Sequence, residues 1–275
     1  MMIQTEKVIT DNNVVYGVHA VLAALTDTPT LIEKVYVKEG LASRDMPTIY
    51  NTCKSNRIPI TMIPNDYKMN DIAGTVNHQG LVAMIRDFEY LDINEIIKLI
   101  DKNRKENIAN LIIIMDEIED PHNVGAIIRT AVAVDAVGII VPKHRQAPIG
   151  GAVYKSSVGL VAQIPIARVS NIGVVIEKLK QNHVWVGSLA MNKNIVQKDT
   201  YTKSDIDNKN NLWNIDIKGD IAIIVGNESK GVSKHNIANS DFIISIPMNK
   251  KVESLNASVS AAIAMYEWRR QNLHL

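Results

Sequence analysis

The chain has 275 residues, 46% of them apolar, and a formal net charge of +1, a length that favours two domains over one. The small charge excludes the overall basicity of proteins that bind nucleic acid indiscriminately, and the single cysteine excludes internal disulfides and thiolate zinc sites. No apolar run reaches the roughly 20 residues of a membrane span and no secretory signal is evident, so we expect a cytoplasmic protein without membrane or metal partners.

The first part of the chain predicts a small α/β unit. Val14–Leu25 is helix-like after Tyr16 and Gly17. Three short apolar runs are typical of strands: Val35–Val37, Ile58–Ile63 and Gly80–Ile85. Arg86–Leu91 has no periodicity, and a helix-capping pattern begins at Asp92. We therefore expect one domain over residues 1–86 and a second over residues 92–275.

The second part alternates buried-strand patterns with helical ones. Continuous Ile/Val-rich runs indicate strands that are covered on both faces: Leu111–Met115, Val137–Val141, Val184–Ser188, Ile221–Val225 and Phe242–Ile246. Helical spacing is found over Val124–Val134, Val174–Gln181 and Leu255–Arg270. This alternation predicts a parallel α/β sheet. The polar stretch Asn192–Lys218 predicts either a long excursion or a loop with little regular structure.

Three motifs follow predicted strands of this sheet. They read DPHNVGAIIRTA (Asp120–Ala131), IIVGNESKG (Ile223–Gly231) and IPMNKKVESLNAS (Ile246–Ser258). Open parallel sheets bind ligands beyond the carboxyl ends of their strands, so the motifs are expected to converge on one site. Gly226 and Gly231 would let the backbone approach a ligand closely. The sequence around them fits neither a phosphate loop nor a dinucleotide fingerprint, which argues against a dehydrogenase.

Polar residues of the first and third motifs have both structural and functional interpretations. Asn123 can cap a helix that begins at Val124, and Arg129 projects away from the apolar face of that helix. Arg129 is therefore either a solvated surface residue or a ligand-binding one. Ser254 is placed to cap the last helix, and Asn256 within it can point to solvent or into the site.

Together and in this order, the three motifs resemble those of the SpoU/TrmH branch of the SPOUT superfamily, the RNA ribose 2′-O-methyltransferases. YGVHAVLAAL, NHQGLVA and KHRQAP with VYKSSVG are similar to the subgroup that methylates a guanosine of 23S ribosomal RNA. The resemblance implies a parallel SPOUT-type sheet with a trefoil knot over residues 92–275. It also implies a small L30e-like α/β domain over residues 1–86 that binds the RNA substrate.

The resemblance assigns roles to named residues. It implies S-adenosylmethionine as cofactor, contacted at Gly226, Ile246 and Leu255, with Gly231 in the turn beside it. It implies a polar catalytic set of Asn123, Arg129, Glu228, Ser254 and Asn256. The densest basic stretches, which are either RNA contacts or solvated loops, contribute Lys143, Arg145 and Lys155. A homodimer packed through the catalytic domains is the expected assembly.

Arg129 is the residue expected to act on the target ribose. A guanidinium keeps its proton, so we expect it to hold a phosphate and stabilise the developing alkoxide, with Asn123 and Glu228 fixing its direction. Two positions depart from the family pattern. Ser229 replaces a glycine and would have to adopt a left-handed conformation, while Asn249–Lys251 stand where one glycine is usual and would crowd the cofactor or bind phosphate.

Other functions fit the same motifs. A tRNA guanosine 2′-O-methyltransferase and an antibiotic-resistance rRNA 2′-O-methyltransferase share all three of them. A non-catalytic RNA-binding protein that keeps the fold is a further alternative, although the intact polar set argues against it.

Overall fold

The computed structural model describes residues 14–190, 209–249 and 251–273. Among the helices in these ranges, none is both long and apolar enough to cross a membrane. The predicted excursion Asn192–Lys218 lies outside the described residues as far as residue 208, and so does Lys250.

The chain forms two compact units. One comprises Met1–Glu89 with Pro148–Gly159, and the other comprises Tyr90–Ala147 with Leu160–Leu275. The segment Pro148–Gly159 thus leaves the larger unit and packs with the smaller one. Sequence reasoning treated both domains as continuous stretches and did not anticipate this exchange.

The small unit contains a four-stranded mixed sheet. Its strands are β1 (Val14–Tyr16), β2 (Ile32–Lys38), β3 (Ile60–Ile63) and β4 (Leu81–Ile85), in the order β1-β4-β2-β3. β4 is antiparallel to β1 and β2, whereas β2 and β3 are parallel. The helices are α1 (Val18–Asp27), α2 (Met46–Ser55) and α3 (Asp66–Ala73), with a 3-10 turn at Pro29–Leu31. Cys53 of α2 is buried, and this burial raises the pKa of its thiol.

The helix predicted after Tyr16 and Gly17 is confirmed, since α1 begins at Val18. Val14–Tyr16 were not predicted as a strand, yet they pair with β4. Gly17 separates the two elements because its φ of 90° lies in a region that side-chain-bearing residues rarely adopt. Its amide donates to the carbonyl of Leu81 at 2.9 Å, which fixes this turn against β4.

The large unit is built on a six-stranded parallel sheet. Its strands are β5 (Leu111–Asp116), β6 (Gly138–Pro142), β7 (Ile166–Val169), β8 (Trp185–Leu189), β9 (Ile221–Gly226) and β10 (Phe242–Ile244). Their order is β10-β8-β9-β5-β6-β7, and every neighbouring pair is parallel. The predicted parallel α/β sheet is confirmed. β7 was not predicted, because exposed Arg168 interrupts its short apolar run.

Helices follow the strands in alternation. They are α4 (Ile93–Lys105), α5 (Pro121–Ala133), α6 (Gly151–Ser156), α7 (Ile172–Gln181), α8 (Lys234–Asn239) and α9 (Ala257–Asn272). α6 belongs to the small unit, and a 3-10 turn at Leu160–Gln163 follows it. β5 and β9 form the centre of the sheet, where the core is continuous and apolar.

The last residues of the two central strands are neighbours. Asp116 of β5 lies opposite Gly226 of β9, and α9 packs against α5 and β9. The carboxyl ends of β5 and β9 and the amino ends of α5 and α9 therefore converge at one edge of the sheet. This is the edge at which parallel sheets bind their ligands.

Candidate active site

The loop after β9 folds back tightly onto the strand that leads into it. A Cβ atom at Gly226 would lie 2.0 Å from the backbone nitrogen of Val232 and 2.1 Å from the carbonyl carbon of Gly231. No side chain fits there, so position 226 requires glycine. The amide of Gly231, whose φ is 70°, donates to the carbonyl of Asn227 at 2.8 Å and closes the turn.

Asn227 organises the interior of this loop. Its Oδ1 accepts hydrogen bonds from the Ser229 amide at 3.0 Å, the Ser229 hydroxyl at 3.0 Å and the Lys230 amide at 3.3 Å. Its Nδ2 donates to the carbonyl of Glu117 at 2.8 Å. The expectation that Ser229 adopts a left-handed conformation is wrong, since its φ is not positive. The asparagine turn accommodates serine at that position.

Asp116 fixes the point at which the chain leaves the loop. Its buried Oδ2 accepts from the Ser233 amide at 2.8 Å and from Nδ2 of Asn236 at 2.9 Å. Sequence reasoning did not select this residue. The signal that could have found it is a single carboxylate that ends the otherwise apolar run LIIIMD.

The loop forms one wall of a pocket of about 360 Å³. All four residues predicted to contact a cofactor line it: Gly226, Gly231, Ile246 and Leu255. Glu228 and Ser254 from the predicted polar set line it too, together with apolar side chains from the ends of β8 and β10. The structure therefore brings residues from the second and third motifs to a single cavity.

A chain of hydrogen bonds joins all three motifs. Nδ2 of Asn256 donates to Oδ1 of Asn123 at 2.9 Å, and Nδ2 of Asn123 donates to Oε1 of Glu228 at 2.8 Å. Asn123 is buried, whereas Glu228 is exposed at the pocket. This polar relay, Asn256–Asn123–Glu228, holds one carboxylate oxygen in a defined position and leaves Oε2 without a partner among the described residues.

The caps of α5 and α9 differ from the predicted ones. Asp120 caps α5 by accepting from the His122 amide at 2.9 Å, and Pro121 occupies the first helical position, where it has no amide hydrogen to lose. Asn256 caps α9 by accepting from the Ser258 and Val259 amides at 2.9 and 3.3 Å. Asn123 and Ser254 were expected to cap these helices. Because other residues do so, both side chains can form contacts in the candidate site.

Arg129 lies on the exposed side of α5, as its position opposite the apolar face predicts. Within the described ranges it forms no hydrogen bond or ion pair, and it does not line the pocket. The expected contacts with Asn123 and Glu228 are absent, because those side chains bond to each other and to Asn256. Arg129 lies six positions after Asn123 on this helix, an axial rise of about 9 Å at about 1.5 Å per residue.

The three predicted RNA-contacting cations are divided between the two units. Lys143 and Arg145 follow β6 in the large unit, whereas Lys155 lies on α6 in the small unit. All three are exposed, and Nη1 of Arg145 lies 3.4 Å from Oε1 of Glu117. Among the described residues, no group of three or more His, Cys, Asp or Glu side chains is arranged to hold a metal ion.

Two family models match this chain. Residues 110–266 match the SpoU rRNA methylase family, and residues 14–91 match a family described as RNA 2′-O ribose methyltransferase substrate binding. A relative in Staphylococcus aureus (strain MSSA476) that is named for the TrmH family of tRNA/rRNA methyltransferases is 34% identical over 257 residues, 94% of this chain and 95% of the relative. One from Staphylococcus haemolyticus is 33% identical over 258 residues, with the same coverage of 94% and 95%.

Solved structures share the fold. The SpoU methyltransferase AviRb from Streptomyces viridochromogenes, in complex with the cofactor AdoMet, matches with a TM-score of 0.65 at 22% identity, over 94% of this chain and 89% of that one. The AdoMet-bound rRNA methyltransferase from Sinorhizobium meliloti gives a TM-score of 0.62 at 21% identity, over 96% of this chain and 88% of that one.

Proposed function

Because this chain belongs to the SpoU rRNA methylase family, we propose that it transfers a methyl group from S-adenosylmethionine to the ribose 2′-oxygen of a guanosine in 23S ribosomal RNA. The observation that carries this proposal is the polar relay Asn256–Asn123–Glu228, which ends at a pocket lined by Gly226 and Leu255. The relay joins the pocket proposed for the cofactor to a carboxylate that is held in one orientation.

The pocket suits S-adenosylmethionine in its chemistry. Apolar side chains of Ile244, Ile246 and Leu255 offer surface to a purine ring, while Glu228 and Ser254 offer polar groups at the same cavity. When bound, the cofactor supplies a methyl group already activated by a positively charged sulfur. The carboxylate of Glu228 has the sign of charge that attracts such a cation.

Methyl transfer then requires alignment of the ribose and removal of a proton from its hydroxyl. The relay holds Oε1 of Glu228, and we assign Oε2 to accept a hydrogen bond from the 2′-hydroxyl, direct its oxygen and take up its proton. Arg129, exposed on α5, holds a phosphate of the RNA and stabilises the negative charge that develops on the attacking oxygen. Ser254 contributes a further polar group at the pocket.

RNA is recognised by both units in this proposal. Residues 1–86 act as the substrate-binding domain, and residues 92–275 as the methyltransferase domain with its trefoil knot. Lys143, Arg145 and Lys155 are exposed cations that neutralise phosphates. We assign the protein to the cytoplasm, where it would meet ribosomal RNA.

A homodimer is the proposed assembly. Ala261, Ala264 and Trp268 of α9 are buried within the large unit. On the same helix, Val259 is 47% exposed and Tyr266 is 56% exposed. These two exposed residues are seven positions apart and lie on one face of the helix. A second copy of the same helix would cover that apolar face.

The test is methylation mapping with the full chain. Purified protein is incubated with labelled S-adenosylmethionine and either 23S ribosomal RNA or total tRNA, both prepared from cells that lack the gene. We expect label at one guanosine ribose of 23S RNA, lost when that ribose is a 2′-deoxyribose. Label in tRNA alone would favour the tRNA-modifying alternative, and label on a base would contradict ribose methylation.

A further inference from the structure

The small unit contains a further cavity, and among its lining residues only Lys155 has been given a role above. It measures about 560 Å³, within the roughly 300–1,000 Å³ of small-molecule sites. Its walls come from α1, the end of β1, the loop before β4 and the segment Pro148–Gly159, all parts of the small unit. The cavity therefore exists within that unit alone.

Two glycines hold the segment Pro148–Gly159 against the rest of the small unit. A Cβ atom at Gly151 would lie 2.8 Å from the carbonyl oxygen of Val14, and one at Gly159 would lie 2.8 Å from Cγ2 of Thr28. The chain at Gly151 and at Gly159 thus approaches its neighbours more closely than a side chain permits. Both glycines line the cavity.

One exposed residue that lines the cavity is conformationally strained. Val158 is 55% exposed, and its φ of 53° lies in the left-handed region. This region is costly for a β-branched residue, and such strain concentrates at ligand-binding positions. Gly159 follows with a φ of 76°, and its amide closes the end of α6 on the carbonyl of Tyr154 at 2.9 Å.

The depth of the cavity comes from small side chains on one face of α1. Ala20, Ala23 and Ala24 line it at helical spacing, together with buried Ile85 and Tyr154. Tyr16 lines it as well and is 43% exposed, so part of this side chain is accessible to solvent. A flat apolar ring matches walls of this composition.

The polar groups around the cavity suit the edge of a nucleobase. Asn77 and Gln79 offer side-chain amides, and Oε1 of Gln79 already accepts from the Val18 amide at 3.2 Å. That bond leaves the amide nitrogen of Gln79 as a donor. Asparagine and glutamine amides can donate to and accept from base edges.

Charge distinguishes a nucleotide within RNA from a free one. Lys155 and Asp27 both line the cavity, together with His19, so the formal charge of the lining is close to zero. Among the described residues Lys155 forms no ion pair. One cation matches the single negative charge that each nucleotide carries within an RNA chain. A free nucleotide carries several negative charges, and Asp27 would repel those that Lys155 does not neutralise.

We propose that this cavity receives one unpaired nucleobase of the RNA substrate, other than the base of the methylated nucleotide. The base lies between Tyr16 and the alanine wall of α1, and Lys155 contacts its phosphate. Proteins recognise RNA sequence chiefly through such unstacked bases of loops and bulges. The proposal rests on the proposed function in that it takes RNA as the substrate.

The test compares two matched substitutions in the full-length protein. Ala23→Leu fills the cavity from an exposed position of α1, whereas Ala152→Leu makes the same change at an exposed position of α6 that does not line it. Fluorescence anisotropy at one salt concentration measures binding of an RNA hairpin with a single bulged nucleotide and of its fully paired counterpart. We expect Ala23→Leu to weaken bulged-hairpin binding by about tenfold, the scale of one stacked base. Ala152→Leu should bind both hairpins as the unmodified protein does.

A second pair of variants tests the stacking surface independently. Tyr16→Leu should reduce the preference for the bulged hairpin, while Tyr67→Leu, at a residue that is 76% exposed elsewhere in the small unit, should not. A 2-aminopurine at the bulge should change its fluorescence on binding to the unmodified protein and less with Tyr16→Leu. Thermal unfolding verifies that all four variants are folded.

Different experimental results would contradict this proposal and the proposed function. Equal affinity of the unmodified protein for bulged and paired hairpins, or no effect of either Ala23→Leu or Tyr16→Leu, would overturn the cavity assignment even if 23S RNA is methylated. A bulge preference lost with Ala23→Leu would support it even if no ribose is methylated. Saturation by a nucleoside 5′-monophosphate alone, with no bulge preference, would overturn RNA as the source of the base.

Discussion

The side-chain amide of Asn256 donates a 2.9 Å hydrogen bond to Asn123, which lies 133 residues earlier in the chain. The direction of this bond is determined by α9, because Oδ1 of Asn256 is engaged in capping that helix. Asn123 must then present its oxygen to Asn256 and its nitrogen to Glu228. A helix cap thereby sets the hydrogen-bonding partner of a carboxylate in the pocket.

Asn256→Asp should separate capping from catalysis. Aspartate still accepts the amides of α9, so stability should change little, but it cannot donate to Asn123. Facing an acceptor at position 256, Asn123 would turn its amide nitrogen toward it and lose the bond to Glu228. Because hydrogen bonds to a charged group contribute roughly 1.5–3 kcal/mol, we expect kcat to fall between about tenfold and a hundredfold. Single-turnover methylation is the measurement. Asn171→Asp is the control, since Asn171 caps α7 through the same kind of bonds and should leave kcat unchanged.

Arg129→Ala should lower kcat by about a hundredfold or more while cofactor affinity stays near normal. This result is expected when a contact made in the transition state is lost. Arg129→Lys should restore little, because lysine lacks the planar fork that can hold a phosphate and a hydroxyl together. Arg44→Ala removes another exposed arginine and serves as the control. Wild-type turnover in the alanine variant would mean that Arg129 is only a surface residue.

Gly226→Ala should abolish cofactor binding. The added Cβ would collide with the backbone of Val232, so the loop must open and the pocket wall must move. Calorimetry with S-adenosylmethionine should show a loss of at least about a hundredfold in affinity, or roughly 2.7 kcal/mol. Gly219→Ala is the comparison. Its φ of 78° costs about 1–2 kcal/mol of stability, but open space surrounds the new methyl group and binding should persist.

The stability of α9 should depend on pH through Glu267. This buried carboxylate accepts hydrogen bonds from Arg270 at 2.9 and 2.8 Å and from Gln271 at 2.7 Å. The bonds from Arg270 hold the pKa of Glu267 below its ordinary value of 4.5, although burial acts in the opposite direction. Because the pKa is lower in the folded state, the stabilisation is complete above that value and is lost as the pH falls below it.

Glu267→Gln is therefore expected to lower the unfolding midpoint at pH 7 by about 2–4 °C, and by less near pH 3. Calorimetric melts at both pH values measure the difference. Glu177→Gln, at an exposed position of α7, should lower neither midpoint. An equal loss at both pH values would show that packing, and not charge, explains the role of Glu267.

Tyr266→Glu should convert the proposed dimer into a monomer. It places a charge on the exposed apolar face of α9, where burial against a second copy would be costly. Light scattering at working concentrations gives the mass directly. Tyr67→Glu makes the same change on α3 and should leave the mass unchanged. A monomeric mass for the unmodified protein would already contradict the assembly.

The sequence alone was sufficient for much of the site because its motifs are local. Apolar runs with no alternation indicate strands buried on both faces, and the residues that follow such strands meet at one edge of the sheet. Gly226, Ile246 and Leu255 line one pocket for that reason. The helix caps were less predictable, since Asp120 and Asn123 are both good caps and only the backbone decides between them.

The fold of the small unit was less accessible to sequence reasoning. Val14–Tyr16 is too short to show alternation, and its pairing depends on residues of β4 that lie far along the chain. The placement of α6 depends on two glycine contacts, at Val14 and Thr28, that no local pattern encodes. Lys155 was predicted to contact RNA from its charge alone, and only the structure shows that it belongs to the small unit.

The exchange of Pro148–Gly159 between the units has a consequence for synthesis of the chain. Translation proceeds at roughly 5–20 residues per second and lets N-terminal domains fold first, yet the small unit still lacks α6 when Glu89 leaves the ribosome. Its last helix arrives only after β5, α5 and β6 have been made. Completion of the small unit is therefore coupled to growth of the large one, and a nascent chain that stops before Gly151 lacks the residues that form one wall of the cavity.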